Sequence, residues 1–191
     1  MKIKILFLVF IVALVSCKKD DDNDPVGPAF LKNGNIWVYD ISVSSQNISN
    51  SGSFTYEVIN KIDSENYTIK ETTQFDGFQA EVETTTWAFD NVFNLGRDMR
   101  NVGVGDSWSE PHDGVDYFTS VIEDGVEVTV PAGTFTCRKL RQTQSDNTTL
   151  EGFHYYNEDF GVVLVEQTYQ QTEQGQTFNV ESKMKLKSTN F

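Results

Sequence analysis

Two-residue alternation of apolar and polar side chains constrains this chain more than any other feature. Near its end Phe178, Val180, Met184 and Leu186 share one parity, broken only by Ser182, while Thr177, Asn179, Glu181, Lys183, Lys185 and Lys187 fill the other. Successive side chains of a strand point to opposite faces, so such a stretch has one face on a core and one in water. The same rhythm runs through Trp37, Tyr39, Ile41 and Val43; Phe54, Tyr56 and Val58; Tyr67 and Ile69 with Phe75; Phe78, Ala80 and Val82; and Val126, Val128 and Val130. Between Val82 and Trp87 the apolar parity changes, which predicts a bulge among Thr84 to Thr86.

Turn chemistry orders these strands. Asp76-Gly77 and Asp124-Gly125 each sit between extended runs, the pattern of a tight hairpin whose central residues need positive φ. Pro131-Ala132-Gly133 predicts a looser turn and Gly175 a last hairpin. No segment carries a capped 3.6-residue apolar stripe, so helix is expected to be short or absent, with single turns at Arg97 to Val102 and Asn157 to Phe160. About ten strands joined by hairpins make an antiparallel meander, and a sheet that wide curls or closes rather than leave long edges bare. The expected fold is all-β: an up-and-down meander forming a strongly curved sheet or an open or closed barrel, with a two-sheet sandwich as the alternative.

The first residues set the address. Lys2 and Lys4 precede an eleven-residue apolar run, Ile5 to Val15, too short for a bilayer span of roughly 20 residues but suited to a cleavable signal. Ser16 before Cys17 makes the segment resemble a bacterial lipoprotein signal. That resemblance implies cleavage after Ser16, diacylation of the Cys17 thiol and acylation of its freed amine; two or more chains anchor stably where one is marginal. Lys18, Lys19, Asp20, Asp21 and Asp22 resemble the lipoprotein export signal of the Bacteroidetes group. This implies display on the outer face of the outer membrane, with the periplasmic face as the alternative. An EF-hand reading of the alternating Asp20, Asp22 and Asp24 fails, because Pro25 and Leu31 stand where the loop requires glycine and glutamate.

The expected organisation is a cleaved signal over 1–16, a lipidated, charged tether over 17–29 and one β domain over 30–191. Removing sixteen residues, two of them lysines, from a 191-residue chain of net charge −13 leaves 175 residues and a charge of −15. Nucleic acid and anionic lipid surfaces are thereby excluded as partners, since both require basic groups. With Cys17 acylated, Cys137 has no disulfide partner and reads as a small buried hydrophobe.

A wider resemblance rests on Gly34-Asn35 with Trp37 and Tyr39, on Val104-Gly105 with Trp108, on the run Val130 to Phe135 with Cys137 and Lys139-Leu140, and on Tyr155-Tyr156 followed by Phe160-Gly161-Val162. These marks resemble uncharacterised secreted β proteins and lipoproteins, some similar to the LolA/LolB-like open barrels that carry lipoproteins across the periplasm. Those carriers plug the barrel mouth with helices, and no segment of this chain reads as such a plug. The resemblance bears on fold more than on function.

Catalytic chemistry finds little support. His112 and His154 lack the spacing of a zinc pair and read as exposed or core-rim residues. Ser109, His112 and Asp113 supply hydrolase residue types without implying their geometry. Adjacent Glu158 and Asp159 point apart if extended, and Gly103 with Gly105 makes only part of a phosphate fingerprint. No catalytic residue, metal site or cofactor is therefore assigned. Aromatic side chains are the remaining candidates: Trp37, Trp87, Trp108, Tyr155 and Tyr156 could line a concave surface that holds a glycan or an apolar small molecule, or could fill the core. Of Tyr155 and Tyr156, neighbours on one strand, one is expected to leave the core. The function expected is a non-enzymatic binding module, with a structural or accessory subunit docking on another outer-membrane protein as the alternative.

Lipidation is directly measurable. Intact-mass analysis of protein from a bacterial membrane should find a chain that lacks residues 1–16 and carries acyl groups, and Cys17→Ser should move it out of the membrane fraction. An unprocessed, unacylated chain contradicts this reading.

Overall fold

A computed structural model describes residues 28–191 except 47, 90, 113, 146–148 and 174. Cys17 and the charged run Lys18 to Asp22 lie outside the described residues. Ten strands form one antiparallel sheet: β1 (Ile36–Ser45), β2 (Ile48–Lys61), β3 (Asn66–Phe75), β4 (Glu81–Ala88), β5 (Ser107–His112), β6 (Val115–Val130), β7 (Gly133–Gln144), β8 (Glu151–Asn157), β9 (Gly161–Glu173) and β10 (Gln176–Thr189). Their order across the sheet is β4-β3-β2-β1-β10-β9-β8-β7-β6-β5. This is the expected meander, with β1 and β10 paired and the two chain-central strands, β4 and β5, at the edges with one strand neighbour each. The sheet is curved but not closed, and no second sheet packs on it among the described residues. No helix of the described residues is long and apolar enough to cross a membrane.

Curvature brings distant strands together. Trp37 donates its indole N–H to the Phe160 carbonyl at 2.8 Å, and the Tyr39 hydroxyl donates to that of Val162 at 2.8 Å. The Ala132 amide, at the β6–β7 turn, donates to the carbonyl of Leu186 on β10 at 3.1 Å. Register shifts in β1, β2, β6 and the β8–β9 pair interrupt the ladders, and such bulges bend and twist a strand.

Two local expectations change. Asp124-Gly125 is not a hairpin: β6 runs through it, with shifts between Val121, Glu123 and Val126, and Gly125 takes φ +74° inside a bulge. The bulge faces Arg138, whose guanidinium lies 3.7 Å from Asp124. Nor is there a bulge at Thr84 to Thr86, because the β3–β4 register is unbroken from Asn66 to Thr73. Val82 simply faces out at 57% exposure while Trp87 faces in at 1%, and Phe78, at 66% exposure, belongs to the Asp76-Gly77 turn rather than to a strand.

The segment between β4 and β5 supplies the plug that sequence patterning does not reveal. It contains two 3₁₀ turns, Val92–Asn94 and Met99–Asn101, and buries Val92, Phe93, Leu95, Met99 and Val102. The ring of Phe93 lies 4.8 Å from that of Trp87, 5.5 Å from Tyr56, 5.7 Å from Trp37 and 6.1 Å from Phe30. Asn91 holds the segment's shape by accepting the Gly96 amide at 2.6 Å, Trp108 donates to the Leu95 carbonyl at 2.8 Å, and Arg138 donates to the carbonyl of Met99.

Phe93 fits only because Gly161 has no side chain. A β-carbon on Gly161 would lie 2.2 Å from the Phe93 ring, whereas one on Gly34 meets nothing within 4 Å; both glycines have positive φ. Gly34→Ala should therefore cost only the left-handed penalty of about 1–2 kcal/mol. Gly161→Ala should cost visibly more in urea unfolding, and equal losses would refute the close approach.

Candidate functional site

Strand register stacks the inward side chains in rows. Across β6 to β10 and on to β1, Val121, Leu140, His154, Val165, Met184 and Ile41 stand opposite one another in turn. Two residues further along each strand the row becomes Thr119, Gln142, Gly152, Gln167, Ser182 and Val43. The inner face thus passes from apolar to polar in a single step, with His154 as the one polar member of the apolar row. Beyond it, Glu110 stands opposite Tyr117 and Tyr117 opposite Gln144.

At this step the core does not fill the curve. One cavity of about 290 Å³ is bordered by Ile41, Val43, Tyr56, Val165, Gln167 and Met184, among others, and a second of about 280 Å³ by Asn91, Glu110, Tyr117, Thr119 and Gln142. Phe93 and His154 border both.

His154 is the least satisfied group in this region. It is only 9% exposed, and its Nε2 has no hydrogen-bond partner among the described residues. The missing side chain of Gly152 is what keeps the imidazole's surface clear, since a β-carbon there would sit in contact with Nε2 at 3.7 Å and tightly against Gln167 Cγ at 3.3 Å. Burial pushes the imidazole down to about 4, so it is neutral at pH 7. The surrounding polar groups are bonded to each other: Gln142 donates to Thr119 Oγ1 at 3.4 Å, Gln144 to the Tyr117 hydroxyl at 2.7 Å, Ser182 to Gln167 Oε1 at 3.4 Å and Asn91 to Glu110 Oε1 at 2.8 Å.

The five aromatic candidates do not come together as one platform. Trp37 and Trp87 are core, 0% and 1% exposed, and the Trp87 indole nitrogen has no hydrogen-bond partner among the described residues. Trp108 is half-buried at the plug, with the Arg97 guanidinium 5.7 Å from its ring. Tyr155 and Tyr156 are both buried, at 9% and 3%, rather than one being exposed. Tyr156 packs 6.4 Å from Phe30, and Tyr155 lies under the ammonium group of Lys139 at 5.4 Å.

No hydroxyl or thiol of the described residues bonds His154 Nε2, so no nucleophile and base are paired through that nitrogen. Burial pushes the Cys137 thiol up to about 11, leaving it protonated at neutral pH. No group of three or more His, Cys, Asp or Glu among the described residues could hold a metal ion. Asp113 lies outside the described residues. Sequence reasoning missed Phe93, Thr119, Gln142 and Gly152; the one signal it held was Ser182, the polar member of an apolar parity. No family model matches the chain, and no curated protein is similar to it at a significant level.

The buried imidazole gives stability a pH signature. Its native value of about 4 lies below the 6.5 of an ordinary histidine, so the unfolded chain takes up this proton first. Stability should be complete above pH 6.5 and fall by on the order of 3 kcal/mol towards pH 4. Glu71, raised by burial and by Glu83 opposite it, works in the contrary sense over the upper carboxylate range. Asp63 and Asp98, both held low, act only below that window. His154→Phe should flatten the fall in urea midpoint between pH 7 and pH 5; a fall as steep as that of the unaltered protein contradicts the assignment.

Proposed function

We propose that this protein is a lipid-anchored binding module on the outer membrane, displayed at the cell surface, that holds a glycan or an apolar small molecule inside the curve of its sheet without reacting with it. The observation that carries this reading is the pair of cavities meeting at Phe93 and His154. A sheet whose only task was stability would not keep the His154 Nε2 buried beside that space without a partner, because an unpaired buried nitrogen costs free energy. Each cavity lies near the lower end, about 300 Å³, of the volumes that small-ligand sites occupy. The lipid on Cys17 supplies the anchor, and the charged segment after it supplies the export address; both come from the sequence.

A second reading, an accessory subunit docked on another outer-membrane protein, draws on the sheet edges. β4 and β5 each lack one strand neighbour among the described residues, and an unpaired edge is a template for strand addition. The edges are blunted, however: β4 carries Glu81 and Glu83, and β5 is six residues long and contains Pro111.

Native mass spectrometry of protein purified from its own host separates the two readings. A reproducible small-molecule adduct that is lost on unfolding is the result expected. Co-purification of a second membrane protein in fixed proportion without such an adduct would favour the accessory subunit, and bare protein in repeated preparations would sink both.

A further inference from the structure

The two cavities differ in chemistry although they share a border. The larger is walled mainly by Ile41, Val43, Tyr56, Val165 and Met184, the smaller by Asn91, Glu110, Tyr117, Thr119 and Gln142. An apolar body gains about 25 cal/mol for each Å² it buries against the first wall. The second wall offers hydrogen-bonding groups instead, and between the two stands His154 with an unpartnered Nε2. At neutral pH that nitrogen is part of an uncharged ring.

Charge is poorly served at this site. For an anion there is no lysine or arginine around the smaller cavity among the described residues, and Lys183, which borders the larger, is paired with Glu166 at 3.0 Å. For a cation the described lining residues of the smaller cavity offer one carboxylate, Glu110, whose Oε1 takes a hydrogen bond from Asn91 at 2.8 Å. Carrying an ammonium group in costs several kcal/mol of desolvation, which one carboxylate repays only in excellent geometry. A hydroxyl costs far less to desolvate, and it can donate to a lone nitrogen or accept from an amide.

We infer that the cleft takes an uncharged amphiphile, whose hydroxyl-bearing head sits against Thr119, Gln142 and Glu110 and donates to Nε2 of His154 while its apolar body lies along Ile41, Val43 and Met184. This rests on the binding reading above and narrows it from a glycan or an apolar molecule to one ligand carrying both parts. Gly152 is the opening that lets the head reach the imidazole, because every larger residue would stand between Gln167 and His154.

The test titrates the mature lipidated protein in phosphatidylcholine nanodiscs, by calorimetry with empty discs subtracted, with four probes: hexyl β-D-glucopyranoside, glucose, hexanoate and hexylammonium. The glucoside should bind saturably at one site per chain and at least about tenfold more tightly than each of the others, as one buried hydrogen bond allows. His154→Phe, which keeps the bulk and removes the acceptor, should weaken the glucoside about tenfold. Gly152→Ala, with a methyl 3.7 Å from Nε2, should also weaken it while leaving the melting temperature near that of the unaltered protein. Equal or tighter binding of hexanoate or hexylammonium, or unchanged affinity in both folded variants, overturns the inference and leaves the binding reading standing. Silence from all four probes also overturns it. An adduct in native mass spectrometry would then show that a ligand of another class occupies the protein, and bare protein there would show that the binding reading had failed too.

Discussion

An open sheet must cover its concave face with something other than its own closure, and here the ring of Phe93 does most of that work. β4 and β5 do not pair with each other among the described residues, and the connection between them turns inward through a phenylalanine at φ +59°. A side chain in the left-handed region carries about 1–3 kcal/mol of strain. Burial of the ring, worth about 1.5–3 kcal/mol, and edge-on contacts with Trp37 and Tyr56, each about 0.5–1.5 kcal/mol, outweigh it. Gly161 on the far wall makes the space, and Trp37 and Tyr39 hold that wall in place by bonding the Phe160 and Val162 carbonyls. Fold and plug are therefore mutually dependent.

The same arrangement creates the cleft. Phe93 seals the aromatic end of the curve, where Trp37, Tyr56 and Trp87 surround it. It does not reach across to the β6–β10 wall at the level of Thr119, Gln142 and Ser182. On that wall the inward row turns polar, and small or flexible residues replace bulky ones. Gly152 and Ser182 leave volume, and His154 is buried beside it without a partner for Nε2.

Much of the sheet was legible because alternation survives wherever one face is buried and the other is wet. β1 and β10 follow it, with Tyr39 opposite Leu186 and Ile41 opposite Met184 across the join. The turns at Asp76-Gly77, Gly133 and Gly175 are where positive-φ glycines stand. Asp124-Gly125 misled because a bulge satisfies the same backbone preference as a hairpin. Only the continued pairing of Val121 and Val126 with β7 distinguishes the two, and that is long-range information. The plug was illegible for a different reason: Val92, Phe93, Leu95, Met99 and Val102 follow no period, being held locally by Asn91 and from further along the chain by Trp108 and Arg138. His154 and Gln142 looked like ordinary strand residues until register set them beside Gly152 and Thr119. Ser182 carried the clue, as a small polar residue in an otherwise apolar face.

The dependence of the open sheet on its plug is most directly tested by hydrogen exchange on Phe93→Ala. Loss of this ring should cost about 3–5 kcal/mol of global stability, and protection should collapse first in β2 to β4, whose Tyr56 and Trp87 pack on it, while β7 to β9 retain theirs longest. Unaltered stability, or uniform loss of protection across all ten strands with no priority for β2 to β4, would contradict the account.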